Sequence, residues 1–211
     1  FEVLQEIRRK GGGLLESQPY SEKAENRLIN QDKNKVTIRI FNNDSPNFVY
    51  LHIHGGGHCI GAADMQDQSL EKISNDLNCV VVSVEYRLAP ANPYPAAPDD
   101  CEAAAIWLIE NSKSQFNTEK IVIGGESAGA NLSAVTLQRL KSKGLLGNVK
   151  GANLIYGSYD ARLTPSTLRQ QGSDEIFLLS YEMIRKFRDS YFQGTLDLSL
   201  PDISPIQGDL T

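Results

Sequence analysis

Apolar positions along the chain follow two periods. At the start, Val3, Leu4 and Ile7 sit at helical spacing until Gly11-Gly12-Gly13 stops the pattern. A polar stretch follows to about Lys35 and predicts no element. Val36, Ile38 and Ile40 alternate with Thr37 and Arg39, which predicts a half-exposed strand. The cluster Asn42-Asn43-Asp44-Ser45-Pro46 then predicts a hairpin into the next strand. That strand, Phe48 to Ile53, is an almost unbroken apolar and aromatic run, as in a strand covered on both faces.

Beyond it, helices and strands are expected to alternate. Met65 to Leu77 places Leu70, Ile73 and Leu77 on one helical face, and Cys79 to Val84 reads as a buried strand. Pro98, favoured in a first turn, opens an Ala-rich helix over Asp99 to Glu110, with Trp107 and the alanines packing on the sheet. Ile121 to Ile123 is a further buried strand, Ser127 to Lys143 a helix, Ala152 to Tyr156 a strand and Ser180 to Phe192 a helix. Short β-branched strands separated by helices need crossover connections, so the fold class is α/β with a mostly parallel sheet flanked by helices.

Composition narrows the function. A length of 211 residues is enough for one large domain with a real core, and 40% apolar with 22% charged residues suits a globular protein. No apolar run approaches the roughly 18 residues of a membrane span, and Phe1–Lys10 does not read as a signal peptide. A net charge of -5 without Lys/Arg runs offers nucleic acid no footing. Cys59, Cys79 and Cys101 cannot all pair within the chain and lack metal-type spacing, so a reducing, cytoplasmic setting is expected. The 3 histidines, His52, His54 and His58, are confined to one short stretch.

Two motifs carry chemistry. Gly125-Glu126-Ser127-Ala128-Gly129 fits G-x-S-x-G between a strand and a helix, the context of a nucleophile elbow. Small residues two before and two after the serine let strand and helix meet, and the helix N-terminus beneath it favours developing negative charge. The pentapeptide alone also fits an idle serine in a Gly-rich turn; the flanking elements favour the elbow. His54-Gly55-Gly56-Gly57 follows a buried strand, and consecutive glycines let main-chain N–H groups approach a substrate oxygen. Gly56, Gly57 and Ala128 are the expected oxyanion donors, with His54, Gly55 and Glu126 supporting. A phosphate-binding turn fits less well, because no G-K-[ST] follows.

With Glu85-Tyr86-Arg87-Leu88-Ala89-Pro90 and Tyr94-Pro95-Ala96-Ala97 between them, these motifs resemble the hormone-sensitive-lipase-like carboxylesterases of the α/β-hydrolase fold. Ile203-Ser204-Pro205-Ile206 resembles a segment that precedes a late core strand in that family. The resemblance implies a single α/β-hydrolase domain over 1–211 with a helical cap from about 1–25 and 160–198. It also implies a Ser–His–Asp triad, short- to medium-chain acyl esters as substrates, and no cofactor. Two departures stand out: His58 occupies a position that is commonly aromatic, and Glu126 one that is often Asp. Tyr86 and Arg87 are expected to anchor their loop, and Cys59 to be a small buried side chain.

The triad order in this fold is Ser, then Asp or Glu, then His, yet no histidine follows Ser127. Asp160, Asp202 and Asp209 match no catalytic position and receive no assignment. The C-terminal part of the fold, with the acid and base, is therefore expected beyond this chain, and the 211 residues alone are expected to be inactive. The rest could reside in a second chain, and a homodimer is the other macromolecular partner considered. A metal centre on His52, His54 and His58 lacks the later ligands it would need, so none is expected. The rival of a different class is a small-molecule receptor on the same scaffold, without catalysis. An inert interaction protein, the third reading, is disfavoured by the elbow.

Overall fold

The computed structural model describes residues 3, 5, 6, 18–31, 34–169, 171, 179–194 and 197–209. Most of the expected N-terminal helix, including Leu4 and Ile7, lies outside them, as do parts of the two expected cap segments. The principal elements are β1 (Glu25–Gln31), β2 (Asn34–Phe41), β3 (Val49–Ile53), α1 (Asp67–Leu77), β4 (Val80–Glu85) and α2 (Ala96–Phe116). They continue as β5 (Ile121–Glu126), α3 (Ala128–Ser142), β6 (Val149–Ile155), α4 (Pro165–Leu168) and α5 (Tyr181–Phe192).

The strands form one sheet in the order β1-β2-β4-β3-β5-β6. Pairing is parallel across β4-β3-β5-β6 and antiparallel where β1 meets β2 and β2 meets β4, so the sheet is mixed. β3 does not form the expected hairpin with β2. It is buried throughout and takes β4 and β5 as parallel neighbours, while β2 runs on to the outer side of β4. β1 falls in the stretch expected to hold no element. Its residues are largely polar because it is an edge strand: Ile29 reaches the core while Leu28 is exposed.

Alternation along the central strands divides the core. Val49, Leu51 and Ile53 of β3 join Val80, Val82 and Val84 of β4 against α2 and α3. Tyr50, Cys79, Val81, Phe41 and Leu70 form a smaller cluster on the α1 face. Arg39 departs from the expected half-exposed pattern and is 1% accessible. Its Nε donates to Asp67 Oδ1 at 2.7 Å, its Nη2 to Asp67 Oδ2 and to Ser21 O, and its Nη1 to Tyr20 and Asn26. A charge is tolerated there because every donor of the guanidinium is engaged.

α2 begins before Pro98 and extends past Glu110 until Asn117, at φ 56°, turns the chain. The polar Asn111 to Ser114 stretch concealed this continuation, although Ser112 and Phe116 are buried. At the C-terminal side, Ser204 is buried, its hydroxyl donating to Leu198 O and accepting Ala161 N–H. Arg139 of α3 binds Asp202 and Asp99, which fastens this segment to α2 and α3.

Candidate active site

β5 enters α3 through Ser127, whose backbone stands at φ 55° and ψ -117°. Positive φ is costly for a residue with a side chain and persists only where its surroundings impose it. Here Ser127 N–H donates to Ile155 O of β6 at 2.9 Å, and Asn131 N–H donates to Ser127 O at 3.2 Å. Gly125 and Gly129 leave room for the expected approach of strand and helix, a Cβ on Gly125 falling 3.1 Å from the Gly129 carbonyl carbon, and also clear a second obstacle. A Cβ on either would strike the Ile53 carbonyl of neighbouring β3. Ser127 itself is half-buried and Ala128 buried.

The glycine loop leaves β3 beside this turn, since Ile53 and Gly125 are register partners. Gly56 stands at φ 123° and Gly57 at φ 59°, and Gly56 O accepts the N–H groups of Cys59 and Ile60. Among the described residues, no acceptor takes the N–H of Gly56, Gly57 or Ala128. Phe187 of α5 lies over the loop, so that a Cβ on Gly57 would fall 2.6 Å from its ring.

The histidines are held in separate settings. His52 Nδ1 is 3.0 Å from Ser83 Oγ and its Nε2 is 3.1 Å from Glu126 Oε2. His54 Nδ1 donates to Gly55 O at 2.8 Å, its ring stacks on Tyr86 at 4.2 Å, and Tyr86 O–H donates to His54 O. His58 stacks on Tyr191 at 3.9 Å, and burial lowers its pKa to about 4, so the ring is neutral at pH 7.

Glu126 is engaged on both oxygens. Oε1 accepts Gly55 N–H and Gln66 Nε2–H, each at 2.6 Å, and Oε2 faces His52. Burial alone would raise its pKa, but the bonds from His52, Gly55 and Gln66 outweigh it and hold the carboxyl below its ordinary value. Arg87 pairs with Asp100, and burial pushes the Cys59 thiol up to about 12. Asp160 pairs with Arg162, Asp202 with Arg139, and Asp209 with Lys141. Sequence reasoning missed Gln66, Ser83 and Phe187. Ser83 carried a readable signal, a polar residue inside a buried strand; the other two carried none.

Among the described residues, no group of three or more His, Cys, Asp or Glu side chains could hold a metal, and no helix is long and apolar enough to cross a membrane.

Comparison with known proteins agrees with this architecture. The chain is 27% identical over 187 residues to an ethyl acetate hydrolase of Pseudomonas putida, covering 86% of this chain and 58% of that protein. It is 36% identical over 140 residues to an arylesterase of Saccharolobus solfataricus, covering 63% of this chain and 45% of the relative. The chain thus spans less than two thirds of either relative. A hyperthermophilic esterase from the archaeon Pyrobaculum calidifontis superposes with a TM-score of 0.85 at 29% identity, over 100% of this chain and 70% of that one. A family profile described as alpha/beta hydrolase fold matches residues 50–211, from the central strand through the serine turn to the C-terminal segment. With a mixed sheet that is parallel across β4-β3-β5-β6, a serine at the strand-to-helix turn and that match over most of its length, the chain belongs to the alpha/beta hydrolase fold family.

Proposed function

We propose that this protein is a serine carboxylesterase that works through an acyl-enzyme on short- to medium-chain acyl esters. The observation that carries the reading is the pairing of Ser127, at positive φ, with the unclaimed N–H groups of Gly56, Gly57 and Ala128 at the ends of adjacent strands. Ser127 Oγ attacks the ester carbonyl carbon as a base takes its proton. The carbonyl oxygen becomes an oxyanion, which the three N–H groups receive. Collapse expels the alcohol with that proton, and water then releases the acid by the same route. The relatives' names, an ethyl acetate hydrolase and an arylesterase, support small ester substrates.

The base is assigned to polypeptide other than these residues. His52 is committed to Ser83 and Glu126, His54 is committed to Gly55 and Tyr86, and His58 lies neutral against Tyr191. The relatives' greater length leaves room for a histidine and its carboxylate. β6 is consistent with further strands joining its outer side: Leu154 and Ile155 are each 40% exposed, and Tyr156 beyond them 75%. We assign residues about 1–25 and 160–198 to a cap over the acyl pocket, a reading supported by Phe187 of α5 lying over Gly57.

The test is fluorophosphonate labelling and p-nitrophenyl butyrate turnover in the full-length protein, with the polypeptide that carries the base, and in its Ser127→Ala variant. Loss of the adduct and a fall in turnover of at least about 10,000-fold are expected. Unchanged turnover in the variant would remove the mechanism. Ligand binding without any turnover in the parent would favour the receptor reading.

A further inference from the structure

The two halves of the oxyanion site lie on different chain segments, and a hydrolase must hold them at a fixed spacing. Gly56 and Gly57 follow β3, whereas Ala128 follows β5. Donors misplaced by about 1 Å can cost on the order of 100-fold in rate, so something has to set that spacing. Backbone pairing of β3 with β5 ends at Ile53 and Gly125, short of both donor sets. The next link is a side chain.

We propose that Glu126 is a positioning residue that clamps the glycine loop to the serine turn, with His52 and Gln66 holding its carboxylate. This rests on the ester-hydrolase reading above. Glu126 immediately precedes Ser127, and its Oε1 accepts the N–H of Gly55, the residue immediately before the first loop donor, at 2.6 Å. One carboxylate therefore joins the residue before the nucleophile to the residue before Gly56. Gln66, just ahead of α1, donates to the same oxygen. On the other oxygen, the carboxylate can only accept, so His52 Nε2 donates; in the neutral ring this leaves Nδ1 to accept the Ser83 hydroxyl. His52 and Ser83 are register partners on β3 and β4, which places this support on the rigid centre of the sheet.

The packing leaves the clamp little slack. A Cβ on Gly55 would lie 2.9 Å from Glu126 O and 3.2 Å from Oε1, so the loop is seated directly on the Glu126 residue. Glu126 and His52 side chains are 15% and 4% accessible, which limits competition from water. Glu126 touches no reacting atom in this scheme; its effect passes through the loop.

Kinetics of Glu126→Met and Glu126→Gln in the same full-length protein test the proposal, with trifluoromethyl ketone inhibition as the second readout, since that adduct carries an oxyanion. Methionine keeps the volume and removes both acceptors. Its kcat is expected to fall about 100-fold with KM within about threefold, and inhibitor affinity to fall in parallel. Glutamine retains one acceptor for Gly55, and a tautomer change in His52 accommodates its amide; kcat within about fivefold of the parent is expected. A folded Glu126→Met protein with parental kcat, or a lower Tm with unchanged kcat and inhibitor affinity, overturns the clamp. If Glu126→Met does not fold, Gln66→Met decides: a loss in kcat of about three- to tenfold at constant KM supports the clamp, and parental kcat overturns it. Ser127→Ala separates the two claims. Full turnover in that variant removes the ester-hydrolase reading itself, whereas a dead Ser127→Ala beside an unaffected Glu126→Met removes only the clamp.

Discussion

The serine turn depends on what is missing from its neighbours. A Cβ on Gly129 would run into the Ile53 carbonyl, a backbone atom of a buried strand that cannot move aside cheaply. Gly129→Ala is therefore expected to cost about 2–3 kcal/mol, measured by urea unfolding. A loss below about 0.5 kcal/mol would show that β3 and α3 can part. Gly57 carries a second constraint, because φ 59° and the Phe187 ring both oppose a side chain. Gly57→Ala should lower kcat about tenfold or more through displacement of the loop donors, while Gly147→Ala, at a site open to solvent, should leave kcat unchanged. Equal kinetics in the two variants would contradict that assignment.

Among the elements, β2 and α1 are joined by a charge where the alternating pattern promised a surface. Arg39 and Asp67 are both almost fully buried, and the same guanidinium holds Tyr20 and Ser21 of the segment before β1. Replacing Asp67 with Asn leaves the arginine without its counter-charge. A loss of about 3–5 kcal/mol in unfolding free energy is expected. Stability within about 1 kcal/mol of the parent would mean that Ser21 and Tyr20 suffice. The pair also shows why the hairpin expectation failed. The turn residues after Phe41 are real turn formers, but a turn does not state which strands it joins. β3 is buried on both faces and takes the sheet centre, which leaves β4 as the partner of β2.

Across the whole molecule, acid should act through His58 before it reaches Glu126. Its ordinary pKa is 6.5 and burial lowers it to about 4 in the fold. Above pH 6.5 the ring is neutral in both states and carries no penalty. Between pH 6.5 and about 4 the unfolded chain takes up a proton that the folded chain refuses, so stability falls as pH falls. Glu126, held below its ordinary value, adds stability above that value and loses it at lower pH. Both act in one direction, with His58 earlier. His58→Asn, a residue that tolerates positive φ, should gain about 2 kcal/mol on the parent between pH 7 and 4.5. An unchanged difference between the two proteins over that range would refute the assignment.

The α/β class, the central strands, and the serine and glycine-loop motifs were legible in the residues, because burial on both faces and conformations open to glycine each demand particular residue types. β1, the strand order and the length of α2 were not. β1 is stabilised by hydrogen bonds to β2, which polar side chains neither help nor announce, and the last turns of α2 are secured by the burial of Ser112 and Phe116. At the candidate site, the motifs marked the candidate residues but not what holds them. Gln66, Ser83 and Phe187 are distant from the motifs in the chain and meet them only through sheet register and helix docking. Local chemistry is written in neighbouring residues; spacing between segments exists only once the sheet has chosen which strands lie side by side.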